Sequence, residues 1–209
     1  MDFKNINMRN IVLYVLGIIT LALGIVFSLI SGFGAGSWDA LNSNISEVTN
    51  ISVGNVLIIQ GIVLILISAL LSKTFPRILS IFTGLLLGVV VDFWFVFLAT
   101  PDELVFKLLY LALAILLIPL GIAFLISSKF PPSPIDVFLL AVKDRFDLGF
   151  DKAKYIIEAI AFLSAILVGY LGVLGVGNIH IGTVVMIFTV GIILNQYMKI
   201  INKLIDEEN

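Results

Sequence analysis

The chain has 209 residues, 60% of them hydrophobic and 12% charged, with mean hydropathy +1.18. A soluble domain carries about 25% charged residues, so this composition excludes an ordinary soluble fold. The absence of cysteine and a single histidine, His180, exclude disulfides, cysteine-ligated metals and histidine clusters.

In chain order, residues 1–10 form a short polar leader with Lys4 and Arg9. The apolar run after it is span-length and lacks an early small-residue cleavage site, so it is expected to stay in the membrane. Six apolar runs read as spans: Ile11–Ile30, Val53–Leu71, Arg77–Leu98, Leu104–Ile126, Ala153–Leu171 and Ile181–Ile201. Pro119 inside the fourth predicts a kink. Two polar interruptions break the pattern, SGFGAGSWDALNSNISEVTNISVGN at 31–55 and SSKFPPSPIDVFLLAVKDRFDLGFD at 127–151. Each contains a stretch that can be helical, Trp38–Val48 and Ile135–Phe146. The fold class is therefore all-α and polytopic, in one membrane domain, 1–209.

Charge placement supports six spans. With the N-terminus cytoplasmic, all of the 12 Lys and Arg except Lys107 fall inside, a strong positive-inside pattern. Both termini are then cytoplasmic, in a cell membrane. The first interruption faces outward and the second inward, and Trp38 and Trp94 read as belt aromatics near the outer interface.

A shift of 97 residues lays Trp38-Asp39 on Ile135-Asp136, Ile45 on Val142, Glu47 on Asp144 and Val53 on Phe150. With a further insertion, Gly88 falls on Gly191 and Asp92 on Asn195. Each copy reads span, interruption, span, span, over 11–98 and 104–201. An odd number of spans forces the second copy to cross in the opposite sense. The expectation is a 3+3 inverted-topology repeat with a short helix after the first span of each half, an arrangement suited to alternating access.

The stretches GAGSWDALN, ISVGNVLIIQG and TGLLLGVVVDFWF resemble the YczE branch of the YczE/YyaS/YitT-type bacterial membrane proteins. The positions that carry the likeness are Gly34, Gly36 and Asp39, then Gly54, then Gly88 and Asp92. In the second half Pro131-Pro132-Ser133-Pro134 stands where that family often repeats a glycine-rich motif. The resemblance implies a bacterial integral membrane protein, linked in general terms to transport with no settled substrate.

Ionisable groups inside spans are costly and default to a functional reading. The substrate- or ion-path candidates are Asp39, Gln60 and Asp92 toward one side, and Asp136, Glu158 and Asn195 toward the other. Each has a plainer alternative. Ser37 and Asp39 could cap a helix lying flat on the outer surface, where the polar tail Asn42, Ser43, Asn44, Ser46 and Glu47 favours exposure. Asp92 could snorkel to the interface, and Glu158 could pair with Lys154 one turn earlier. His180 reads as an outer-loop residue. Gly84 and Gly88 form a small-residue packing motif. The helix 135–146 is amphipathic, with Lys143 and Arg145 available to anionic lipid.

No phosphate loop, dinucleotide fingerprint, metal motif or nucleophile elbow is present. No cofactor or metal is expected, nor is nucleic acid, since basic surfaces interleaved with aromatics are lacking. The leading reading is a small secondary transporter or permease for a small cationic or zwitterionic solute. The alternative is a non-transporting membrane partner, such as a substrate-capture or regulatory subunit of a larger complex; a membrane enzyme comes third. Expected partners are the lipid bilayer, a small-molecule or ion substrate, and a second copy of the chain or another membrane protein.

Overall fold

A helix that must live in lipid satisfies its own backbone and leaves packing to small residues and a few side-chain hydrogen bonds. The computed structural model, which describes residues 7–207, is built this way. Lys4 lies outside the described residues, as do the side chains at 150, 151 and 204–207. The elements are α1 (Met8–Ile30), α2 (Ser37–Thr49), α3 (Val53–Ser72), α4 (Ile78–Phe97), α5 (Leu104–Ser127), α6 (Pro134–Arg145), α7 (Phe150–Leu171) and α8 (Ile181–Glu207). Six of them, α1, α3, α4, α5, α7 and α8, are long and apolar enough to cross a membrane. The two interruptions supply α2 and α6.

The centre is the α1–α5 pair. Gly17 and Gly24 of α1 lie against the side chains and backbone amides of Leu125 and Ile118, and Gly121 of α5 lies against the backbone of Leu21. The missing Cβ at each of these glycines lets the helix axes come close. Tyr14, Ile18, Ala22, Ile25 and Val26 fill the remaining seam and are buried. Near the N-terminal end of α1, Tyr14 donates to Thr83 Oγ1 at 2.9 Å, because Thr83 Oγ1 itself donates to the Pro131 carbonyl at 3.0 Å. Tyr14 also stacks on Phe130 at 4.6 Å. This ties together α1, α4 and the segment after α5.

The chain leaves α1 and α5 in the same way. Ser31 Oγ donates to the Ser28 carbonyl at 2.7 Å and accepts the Phe33 amide at 3.2 Å. Ser128 Oγ donates to the Leu125 carbonyl at 2.6 Å and accepts the Phe130 amide at 3.2 Å. The residue between, Gly32 or Lys129, takes a positive φ of 74° or 61°. Both turns swing the chain back, and both feed a short helix. α2 then packs on α7 and α3, and α6 packs on α3 and α7.

The halves differ where α3 meets α4. Gly54 and Gly88 bring those two backbones into contact. The positions that the expected repeat pairs with them are Asp151 and Gly191. Among the described residues nothing stands within 4 Å of a Cβ built on Gly191. Accordingly α3 packs along α4, whereas α7 and α8 do not pack along each other among the described residues.

Three expectations are corrected here. α2 does not lie flat on the outer surface: Asn42, Ser43 and Asn44 are buried. Trp38 is not a belt aromatic, because it is 8% exposed and meets Phe138 edge-on at 6.3 Å. α6 is not an amphipathic helix resting on lipid, because Val137, Phe138, Leu139, Ala141 and Val142 are all buried. The cause in each case is the same: the turns after α1 and α5 direct the short helices inward, where their apolar faces meet.

Candidate functional site

The first turns of α2 and α6 converge. α6 starts with Ser133 as N-cap, accepting the Asp136 amide at 3.3 Å, and Asp136 Oδ2 accepts from Ser133 Oγ at 2.7 Å. This reciprocal arrangement is a capping box with Asp in the third position. Pro134 at the first position suits a helix start. It sits in a slot between Gly61 of α3 and Gly84 of α4, where a Cβ on either glycine would press on the ring. α2 starts at Gly36, and Asp39, again third, turns its carboxylate back toward that residue.

Between the two starts lies a cavity of about 190 Å³. Its polar lining is Ser37, Asp39 and Asn42 from α2, Gln60 from α3, Asp136 from α6, and Lys154 and Glu158 from α7. Leu21, Ile25, Leu57, Leu87, Ile118 and Met186 complete it with an apolar wall. Burial pushes the Asp39 carboxyl up to about 7, and the neighbouring Glu158 carboxylate adds to the rise. Burial also raises the Asp136 carboxyl, opposed by its bonds to Ser133 and by the charge of Lys154. Glu158 faces Ser37 and Lys154. Lys154 makes no close ion pair with Glu158, since no such contact exists among the described residues. Its charge acts on Asp136 and Glu158 across the cavity.

Asn42 Nδ2 donates to Gln60 Oε1 at 3.2 Å. That leaves Asn42 Oδ1 and Gln60 Nε2 buried without partners, one acceptor and one donor beside the cavity. Buried polar groups normally find partners, so these two atoms are suited to a polar ligand. Among the described residues no three His, Asp or Glu gather closely enough to hold a metal ion. The carboxylates surround the space rather than converge on a point.

Of the sequence candidates, Asp39, Gln60, Asp136 and Glu158 line this cavity. Asp92 and Asn195 do not. Asp92 caps α3, accepting the Gly54 amide and the Ser52 hydroxyl, and Asn195 is exposed on α8. Gly36 and Gly61 border the cavity, Gly84 seats Pro134, Gly54 and Gly88 join α3 to α4, and Gly34 at φ 95° packs on His180 and Thr183. His180 itself is exposed in the α7–α8 loop.

Sequence reasoning missed Asn42 and Lys154 as site residues, although Asn42 lies three residues after Asp39 and so on the same helical face. It also missed a clasp at one end of α2. Asn44 Nδ2 donates to the Ala165 carbonyl at 2.8 Å, and Asn44 Oδ1 accepts the Asn178 amide at 3.0 Å. Asn178 Nδ2 donates to Ser43 Oγ at 2.7 Å and to Glu47 at 3.1 Å. The loop before it also bonds to α8, Gly182 N to the Phe33 carbonyl at 2.7 Å.

Six membrane-length helices and two short helices ending inside the bundle define a multi-pass helical membrane protein. The chain belongs to DUF6198, described as a family of unknown function, which it matches over residues 8–199. It is 28% identical over 193 residues to the uncharacterized protein YyaS of Bacillus subtilis, covering 91% of this chain and 92% of that one. It is 22% identical over 182 residues to the uncharacterized membrane protein YczE of the same organism, covering 87% and 81%. An uncharacterized protein of Haemophilus influenzae is 26% identical over 198 residues, covering 93% and 85%. No solved structure gives a significant match.

Proposed function

We propose that the chain is a small secondary transporter of the cell membrane, both termini cytoplasmic, moving a small cation or zwitterion through the cavity between α2 and α6. The observation that carries this reading is the convergence of two short helices, each with Asp in its third position, on one polar cavity lined by Glu158 and Lys154. Each helix start contributes roughly half a positive charge. Set against three carboxylates and one ammonium, the site holds about one net negative charge when fully ionised. A monovalent cation balances it. Protonation of Asp39 balances it equally, so proton and cation compete for one site, as exchange requires.

An inverted repeat is supported by the matched serine turns after α1 and α5 and by the exchanged packing of α2 on α7 and α6 on α3. The matched ends differ in state. α2 is clasped to the α7–α8 loop, whereas α6 and the α3–α4 turn are separated by a crevice of about 530 Å³. One end tied and the other open is the asymmetry that alternating access uses.

The test is dissipation of an imposed pH gradient in proteoliposomes on adding potassium, sodium or methylammonium. Wild type should respond to at least one, Asp92→Asn should keep the response, and Asp39→Asn and Glu158→Gln should lose it. No response in wild type, or full responses in the last two, rejects the assignment. The non-transporting reading draws on α8, whose apolar window is only 11% buried and so leaves room for a partner. Co-purification of a second membrane protein, with no cation-dependent thermal shift, would select it.

A further inference from the structure

A second crevice lies at the other end of α6 from the cavity, between its C-terminal half and the α3–α4 turn. Its lining combines the apolar Ile65, Ala69, Leu71, Val137, Leu140 and Ala141 with the hydroxyls of Ser68, Ser72 and Thr74. Its rim carries three cations, Lys73 and Arg77 from the turn and Arg145 from α6. Asp144 also reaches the rim, but its Oδ1 is held by Lys143 Nζ at 2.9 Å. None of the three rim cations forms a close ion pair with a described carboxylate. α4 begins at this rim with no side-chain cap at Arg77, so its first-turn amides add to the positive potential.

We propose that this crevice binds an anionic phospholipid, with the headgroup phosphate among Lys73, Arg77 and Arg145 and an acyl chain along the apolar part of the lining. Charge complementarity selects an anion. The surroundings select a lipid over a soluble ion: Phe75 is 95% exposed between Lys73 and Arg77, and Leu70 and Ile78 beside the crevice are 79% and 70% exposed. Such a mouth suits the lipid–water boundary, where phospholipid headgroups lie. The turn itself is fixed for this purpose by a Schellman closure, with Lys73 at φ 51° and the Thr74 amide bonded to the Ala69 carbonyl at 3.1 Å. The occupant would bridge α6 and the α3–α4 turn at the end read above as open, and the experiment below reads lipid retention rather than flux, so the two readings fail separately.

The probe is phosphatidylglycerol, titrated into the purified full-length protein in a neutral detergent and read by native mass spectrometry and thermal shift. Wild type should retain phosphatidylglycerol over phosphatidylcholine. The triple substitution Lys73→Gln, Arg77→Gln, Arg145→Gln should weaken retention roughly 100-fold, while Lys107→Gln at the opposite end leaves it unchanged. Ser72→Trp, which fills the rim and keeps every charge, should also displace the lipid, and it serves if the triple variant fails to insert. Inorganic phosphate at millimolar concentration should not compete. Equal retention by the triple variant or by Ser72→Trp, or full competition by phosphate alone, overturns the proposal.

Discussion

The Asp92 carboxylate on α4 accepts the Gly54 amide in the first turn of α3 at 2.8 Å, and its other oxygen accepts the Ser52 hydroxyl at 2.6 Å. A side chain on one span thus caps the helix beside it and balances its positive end. We expect Asp92→Asn to lower stability by about 1–3 kcal/mol while leaving ligand binding in the cavity unchanged. Denaturant unfolding in detergent measures the first, and the gradient assay above the second. A stable but transport-dead Asp92→Asn would move this residue back into the path.

Gly54 makes the sharper version of the same test. A methyl there meets the Gly88 carbonyl and the Asp92 carboxylate, so neither helix can yield without losing the cap. Gly54→Ala should cost about 2–4 kcal/mol, in the range of overpacked or uncapped sites. Gly191→Ala, with open space around it, should be neutral or slightly stabilising through its higher helix propensity. Melting temperatures of the two variants decide the matter.

Asp39 predicts a pH dependence of stability. Its folded-state carboxyl lies near 7, above the ordinary value of about 3.9. A raised acid favours the protonated form, so its contribution is complete below about 4 and is lost as pH rises through 7. Wild type should therefore lose stability between pH 5 and 8, by roughly 2–4 kcal/mol for this group alone. Asp39→Asn should flatten that slope and be the more stable protein at pH 8. Parallel slopes for the two would mean that Asp39 is ionised throughout.

Asn44 is wholly buried and bonds both α7 and the α7–α8 loop. Asn44→Ala leaves the Ala165 carbonyl and the Asn178 amide without their partner, each costing about 1–3 kcal/mol. The loop should loosen from α2 before the bundle melts. Faster hydrogen exchange at 172–180, with α1 and α5 unchanged, is the expected signature.

The natural absence of cysteine makes topology directly readable. Thr74→Cys and Val173→Cys place single thiols on exposed turns at opposite ends of the bundle. A membrane-impermeant maleimide should label the second in intact cells and the first only after permeabilisation. Labelling of both from one side would break the six-span path, and reversed labelling would invert the orientation.

The spans were legible because lipid demands about twenty apolar residues in a row, and the short helices because each polar interruption holds a stretch of helical pattern, at 38–48 and 135–146. Their depth was not. Asn42, Ser43 and Asn44 have the composition of a wetted helix, yet their partners are Gln60, Ala165 and Asn178, up to 135 residues away. Periodicity carries no information about a bond of that span. The roles of Asp39 and Asp92 divided for a similar reason. Asp39 sits in a polar interruption and Asp92 late in an apolar run, and only the meeting of α3 with α4 reveals that Asp92 is spoken for by Gly54 and Ser52.

The backbone contact through Gly54 and Gly88 has a mechanical consequence. Locked also by Asp92, α3 and α4 form one stiff plate, and Pro134 is seated in that plate between Gly61 and Gly84. α7 and α8 share no such lock among the described residues. Lys154 and Glu158, both on α7, stand on a wall held by α2 and α6 rather than by α8, while Gln60 and the start of α6 stand on the plate. The cavity is thus bounded by a glycine-locked helix pair on one side and, on the other, by a single helix held through α2 and α6.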